Sequence, residues 1–284
     1  MRGRTLVFLF ALVSVAFAID SPAPIVPETV VIPSGNLRLK AFFWKPTGRG
    51  PFPAVLFCHG SGGADAGHTA GLPITEAAEK LAPLFLKHGY AFLYLFRRGQ
   101  GLSADEGTFM QDLLKREEAT KGKEDRQHLQ LILATRDHLD DVMAALSFLK
   151  AAPAIDRKRI AIAGHSFGGQ LTLLAIERDN TVRAAVTFAA AANSWERSAE
   201  LRDRLLAAAD KATAPIMLIQ AVNDYSTAPS YALADELERL QKPHLLKIYS
   251  PVGRTSEDAH NFLYLAIPQW EDDVFRFLNE HVKR

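Results

Sequence analysis

RIAIAGHSFGG, residues Arg159 to Gly169, alternates apolar and small residues through Ile160, Ala161, Ile162 and Ala163 and then turns sharply at Gly164-His165-Ser166-Phe167-Gly168. The run from Gln170 to Glu177 reads as helix. This is a G-x-S-x-G nucleophile elbow in its required setting of strand, tight turn and helix. Such a turn holds the serine in a strained backbone conformation, and a Cβ at Gly164 or Gly168 would clash across it. The Ser166 hydroxyl should then stand above the strand ends, at a helix N-terminus whose free N–H groups and dipole favour developing negative charge.

Working outward, apolar strands alternate with helical stretches. Pro53–Cys58 is a continuous apolar run, as in a strand buried on both faces, and Tyr90–Phe96 is another. Thr75–His88 reads as helix, and so does His128–Lys150, with Leu139, Val142, Met143, Leu146 and Leu149 on one face. Strands over Val182–Ala190, Pro215–Ala221 and His244–Tyr249 follow, with helices from Ser194 to Lys211, Ser230 to Leu240 and Gln269 to Val282. Glu28–Ile32 and Leu37–Trp44 form a leading pair of strands around the Ser34-Gly35-Asn36 turn. Alternation of this kind predicts a mostly parallel sheet covered by helices on both faces. The charged stretch from Ala104 to Arg126 has no clean period and reads as an irregular surface excursion, a flap beside the cleft.

Composition narrows the function classes. The chain has 284 residues, 48% hydrophobic and 23% charged, with a net charge of +1. No basic run interleaved with aromatics is present, which argues against nucleic acid as a partner. Cys58 is the single cysteine, so there is neither an intrachain disulfide nor a cysteine metal cluster to expect. Arg2 and Arg4 precede an apolar run from Thr5 to Phe17 and an A-x-A pattern at Ala16-Phe17-Ala18. This pattern reads as a bacterial-type secretory signal over residues 1–18, followed by a linker over 19–27 and one domain over 28–284. The expected mature protein is secreted or periplasmic and carries no membrane span.

A serine hydroxyl needs a base to take its proton and a carboxylate to orient that base. Functional residues of an open α/β sheet gather at the carboxyl ends of the strands, and His59, Arg97, Ser166, Asp224 and His260 each follow a strand. Asp224, directly after the strand ending at Ala221, is the leading acid, and Asp258, in the histidine's own loop, is its rival. His260 is the leading base over His165, His244 and His281. For the oxyanion, the N–H of Phe167 supplies one donor, and Ser61 or Gly62 in the loop His59-Gly60-Ser61-Gly62-Gly63 supplies the second. Arg97 and Arg98 are candidates to bind a substrate carboxylate, with an ion pair to Asp140 or Asp141 as the other reading. Neither metal nor organic cofactor is expected, because no ligand spacing such as H-E-x-x-H occurs.

These motifs, in this order, resemble the α/β-hydrolase superfamily and, within it, the dienelactone-hydrolase-like and prolyl-oligopeptidase-like group. The resemblance runs from about Val30 to Val282. It rests on His59-Gly60-Ser61-Gly62-Gly63, Arg98-Gly99-Gln100-Gly101, the Ser166 elbow, Asn223-Asp224 and Ala259-His260-Asn261-Phe262. Two departures stand out. Dienelactone hydrolases proper use a cysteine nucleophile where this chain has Ser166, and the familiar His-Gly-Phe at the base reads His260-Asn261-Phe262 here. The resemblance implies an α/β-hydrolase fold with a minimal cap and a serine hydrolase acting on small-molecule esters through an acyl-enzyme. A peptidase or amidase, or a silent binding protein on the same fold, are the alternatives. Only Ala191 to Ala214 is available for a lid after the Val182–Ala190 strand, so small or short-chain acyl groups are the expected substrates.

Overall fold

The computed structural model describes residues 26–62, 65–69 and 71–283. The signal-peptide reading over 1–18, most of the linker and Gly63 lie outside them.

In chain order, strands β1 (Glu28–Ser34), β2 (Leu37–Trp44) and β3 (Phe52–Cys58) lead into a short two-stranded ribbon, β4 (His68–Thr69) and β5 (Leu72–Pro73), and helix α1 (Ile74–Lys87). Strand β6 (Ala91–Leu95) is followed by α2 (Met110–Lys121), α3 (Lys123–Thr135) and α4 (Asp137–Ala151). Next come β7 (Ile155–His165), α5 (Phe167–Arg178), β8 (Ala184–Phe188), α6 (Ala199–Lys211), β9 (Ile216–Ala221), α7 (Ala228–Arg239) and β10 (His244–Tyr249). Two short helices, α8 (Ser256–His260) and α9 (Phe262–Leu265), precede the terminal α10 (Ile267–Val282).

Eight strands form one sheet in the order β1-β2-β6-β3-β7-β8-β9-β10. Only β1 with β2 and β2 with β6 pair antiparallel. From β6 to β10 every pairing is parallel, which is why the inner strands carry continuous apolar runs, such as Ala91–Leu95 and Ile160–Ala163, rather than alternating. The period of two still sorts their side chains between two cores. Ala54, Leu56, Cys58, Ile160 and Ile162 face the layer of α4, α5, α6 and α7. Val55, Phe57, Ala161 and Ala163 face the layer of α1 and α10. The second core is aromatic, with Phe85 stacked on Phe92 at 4.3 Å and Phe188 edge-on to Trp270 at 5.1 Å.

Two sequence expectations are corrected. The 104–126 excursion is not irregular: most of it belongs to α2 and the start of α3, a helical hairpin turned at Gly122 (φ 102°). Its charges pair along and between the two helices, Lys121 with Glu117 at 2.8 Å and Arg126 with Glu118 at 3.1 Å. Met110 and Leu114 of α2 and Leu133 and Ala134 of α3 are buried beneath it. The single helix expected over His128–Lys150 is two, broken at Arg136, where ψ swings to −91°.

Candidate active site

Ser166 sits between the end of β7 and the start of α5 with φ 54° and ψ −115°, outside the regions open to an ordinary L-residue. The glycines around it allow this by proximity. A Cβ on Gly164 would lie 2.3 Å from the Gly168 carbonyl oxygen, and one on Gly168 would lie 1.9 Å from that of Cys58. The Ser166 N–H donates to the Phe188 carbonyl at 2.8 Å, tying the elbow to the end of β8.

Ser166 follows β7, Asp224 follows β9 and His260 ends α8, and the fold brings the three together. Ser166 Oγ lies 2.8 Å from His260 Nε2, and His260 Nδ1 lies 2.9 Å from Asp224 Oδ1. The carboxylate fixes the tautomer: Nδ1–H donates to Asp224, leaving Nε2 free to accept the serine proton. Asp224 is itself held by the Tyr225 N–H at 2.6 Å on Oδ1 and by Gln220 Nε2 at 2.8 Å on Oδ2. Gln220 is fully buried in β9 and accepts from Ser230 Oγ at 2.8 Å. The sequence reading passed over it, although one glutamine in the apolar run PIMLIQA was the available signal.

The rival acid has another task. Asp258 Oδ2 accepts from the Arg254 and Thr255 N–H groups at 2.9 and 3.0 Å, and the Asp258 N–H donates to Thr255 Oγ1 at 3.0 Å. That is a capping box at the start of α8. It sets His260 in a short helix rather than the expected loop. His165 points away from the serine, and its Nε2–H donates to the His260 carbonyl at 2.8 Å. Burial pushes the His165 imidazole down to about 3, so it is neutral at physiological pH and braces the backbone of the base. His244 is engaged at the start of β10 with the Lys242 carbonyl.

Arg97 and Arg98 require a correction: neither reaches the cleft. Arg98 is committed to α4, with Nη2 at 2.7 Å and Nε at 2.9 Å from Asp141 and Nη1 at 2.6 Å from Asp137. Arg97 is fully buried. Its Nη1 donates to the His59 carbonyl and its Nη2 to the Gly60 carbonyl, each at 2.7 Å. Gln100 Nε2 donates to the next carbonyl, Ser61, at 2.8 Å. Three successive carbonyls of the loop after β3 are therefore pulled to one side. A trans peptide points its N–H opposite its C=O, so the Ser61 and Gly62 N–H groups face away from Arg97 and Gln100. Gly60 packs directly on the elbow, since a Cβ there would lie 3.5 Å from that of Ser166. Desolvation lowers the Arg97 guanidinium to about 10. Burial and the Arg97 charge together push the His59 imidazole well below its usual value. No residue pattern announces this clamp, because the partners are backbone groups of another loop.

Ser61, Gly62, Ser166, Phe167 and His260 line one cleft of about 500 Å³. The α2–α3 hairpin borders it through Gln111, Arg126, Gln127, Gln130 and Leu131, and the start of α6 borders it through Leu201 and the capping residue Ser198. Cys58 is buried below, its thiol pushed up to about 12 by desolvation, which leaves it protonated and without nucleophilic character. Among the described residues no group of three or more His, Cys, Asp or Glu side chains is placed to hold a metal.

Comparison with known proteins agrees with this architecture. The chain is 28% identical over 164 residues to the quorum-quenching protein AidA of Acinetobacter baumannii (strain MDR-ZJ06), covering 58% of this chain and 44% of that protein. It thus spans less than half the length of that relative. Among solved structures, the Pyrococcus horikoshii acylaminoacyl peptidase superposes on 91% of this chain and 42% of its own, with TM-score 0.64 and 19% identity. Est1E from Butyrivibrio proteoclasticus with ferulic acid bound superposes on 90% of this chain and all of its own (TM-score 0.61, 17% identity). A dienelactone hydrolase from Anabaena variabilis ATCC 29413 superposes on 90% of this chain and 99% of its own (TM-score 0.59, 19% identity). At these identities the likeness is one of fold. Residues 100–263, more than half of the chain and spanning the elbow, Asp224 and His260, match the dienelactone hydrolase family, and the chain belongs to that family, built on the α/β-hydrolase fold.

Proposed function

We propose that the protein is an exported serine hydrolase that cleaves carboxylic esters with small or short acyl groups through an acyl-enzyme. The observation that carries this reading is the unbroken hydrogen-bonded chain from Ser166 through His260 to Asp224, opening on a cleft with both polar and apolar walls. In the first step Ser166 Oγ attacks the ester carbonyl carbon while His260 Nε2 takes its proton. The carbonyl oxygen becomes an oxyanion facing the N–H of Phe167 and that of Ser61 or Gly62. The tetrahedral adduct collapses, the C–O bond to the alcohol breaks, and His260 returns its proton to the leaving oxygen. Water then attacks the acyl-serine with His260 as base, releasing the acid and restoring Ser166. The export part of this reading is supported by Arg2, Arg4, the apolar run after them and the Ala16-Phe17-Ala18 pattern.

The fold shared with acylaminoacyl peptidase makes amide cleavage the second reading. Purified protein is to be assayed on matched p-nitrophenyl butyrate and butyryl p-nitroanilide after exhaustive chelation. The expected result is ester kcat/KM well above amide kcat/KM, with full activity in the chelator. Comparable or faster anilide turnover would move the assignment to a peptidase, and metal-restored activity would reject the cofactor-free mechanism.

A further inference from the structure

Gln170 stands on α5 one turn after Ser166, its N–H bonded to the Ser166 carbonyl at 3.2 Å. It lines the same cleft as Ser166 and His260, yet only 3% of it is exposed. Its Nε2 donates to Ser194 Oγ at 3.0 Å, and Ser194 Oγ in turn donates to the Ala191 carbonyl at 3.4 Å. With Ser194 Oγ donating to Ala191, it accepts from the amide nitrogen of Gln170. The other end, Oε1, is buried, and no donor among the described residues reaches it. A buried acceptor left unpaired costs free energy, and each such atom in a native fold calls for an explanation. Here the atom belongs to a residue of the reaction cleft, one turn along the helix that begins at the nucleophile.

We propose that Gln170 Oε1 is the acceptor for a hydrogen-bond donor carried by the substrate, so that the enzyme selects esters bearing a hydroxyl or amide N–H close to the scissile bond over plain alkyl esters. The inference rests on the ester-hydrolase reading above and adds a substrate class to it. The surroundings suit such a group. Gln130, Asn193 and Ser194 supply polar wall, while Leu131 and Leu201 supply an apolar one, the mixed lining that fixes orientation in small-molecule sites. Oε1 is closed to solvent as the side chain stands, so a substrate hydroxyl pairs it by turning the Gln170 amide toward the cleft, whereas an alkyl chain gives it no partner. Sites built to bond a substrate hydroxyl reject the analogue lacking it far more strongly than apolar pockets reject a missing methylene.

The test compares kcat/KM within two pairs of esters. p-Nitrophenyl butyrate against p-nitrophenyl 3-hydroxybutyrate places the donor on the acyl side. Ethyl butyrate against 2-hydroxyethyl butyrate, followed by acid release, places it on the alcohol side. The wild type is expected to favour the hydroxylated member by about tenfold or more in one pair, and the pair that responds tells which side of the substrate Gln170 reads. Gln170→Leu is expected to bring that ratio to near one, and Gln170→Glu, which keeps an acceptor oxygen, to retain a preference. Equal rates within both pairs for the wild type, or a preference that survives Gln170→Leu, overturns the inference while leaving the hydrolase reading intact. No turnover of any of the four esters, together with no fluorophosphonate adduct on Ser166, overturns the hydrolase reading itself.

Discussion

At the scale of single residues, the site depends on side chains that never touch substrate. Arg97 is a buried cation whose two terminal nitrogens each hold a carbonyl of the loop after β3. We expect Arg97→Lys, which cannot donate in the same fork, to lower kcat by roughly 10- to 100-fold with little change in KM, since loss of one oxyanion donor elsewhere costs about 10²–10³. Steady-state kinetics on p-nitrophenyl butyrate check this, and an unchanged kcat would show that the loop keeps its shape unaided. The contrast between residues that were legible and those that were not has a local cause. Gly164, Ser166 and Gly168 carry their constraint within five consecutive residues, so the sequence displays it. Asp224 was placed by its strand end. Neither reading of Arg97, a substrate carboxylate or an ion pair with α4, anticipates its backbone partners, because they lie 37 and 38 residues away and no residue type announces a carbonyl. Asp258 could have been told apart from Asp224: Thr255-x-x-Asp258 is a capping-box signature in plain view.

At the scale of elements, the α2–α3 hairpin decides what the cleft admits. Its sequence shows no clean helical period because only Met110 and Leu114 of α2 are buried. Its helices are instead supported by pairs such as Glu117–Lys121 and by Gly122 at the turn. The face it turns to the cleft is Gln111, Arg126, Gln127 and Gln130, with only Leu131 apolar. A lipase-like lid would lay a continuous apolar stripe there. Each methylene left without apolar cover forgoes about 0.8 kcal/mol of transfer free energy. Across a p-nitrophenyl ester series, kcat/KM is therefore expected to stop rising and then fall beyond about four to six acyl carbons. A continuing rise to long chains would contradict a cleft bordered by the polar face of the hairpin and point to an apolar path under it.

At the scale of the whole molecule, the eight-stranded sheet was readable because parallel strands buried on both faces leave long apolar runs separated by helical ones. The same burial has a consequence for acid stability. His59, His138 and His165 are each at most 2% exposed. Desolvation holds all three imidazoles below their ordinary value, with Arg97 adding to it for His59 and His138 and His260 for His165. The unfolded chain therefore binds more protons than the native one below about pH 6.5. Stability from these groups is complete above that pH and is lost as the pH falls through the window toward the depressed folded values, about 3 for His165. Between pH 7 and 5.5 the loss is roughly 1 kcal/mol per histidine, about 3–4 kcal/mol together. Urea midpoints across that range measure it, and a flat profile would mean that these imidazoles are solvated in the native state.

The central claim is that Ser166 is the nucleophile of an acyl-enzyme mechanism. Its most direct test is intact-mass and peptide-mass analysis after brief exposure to a fluorophosphonate. One adduct per chain, located on Ser166, is expected, absent in Ser166→Ala and slowed by about 10³-fold or more in His260→Ala. An adduct on any other residue, or none at all while ester turnover persists in Ser166→Ala, would contradict the account.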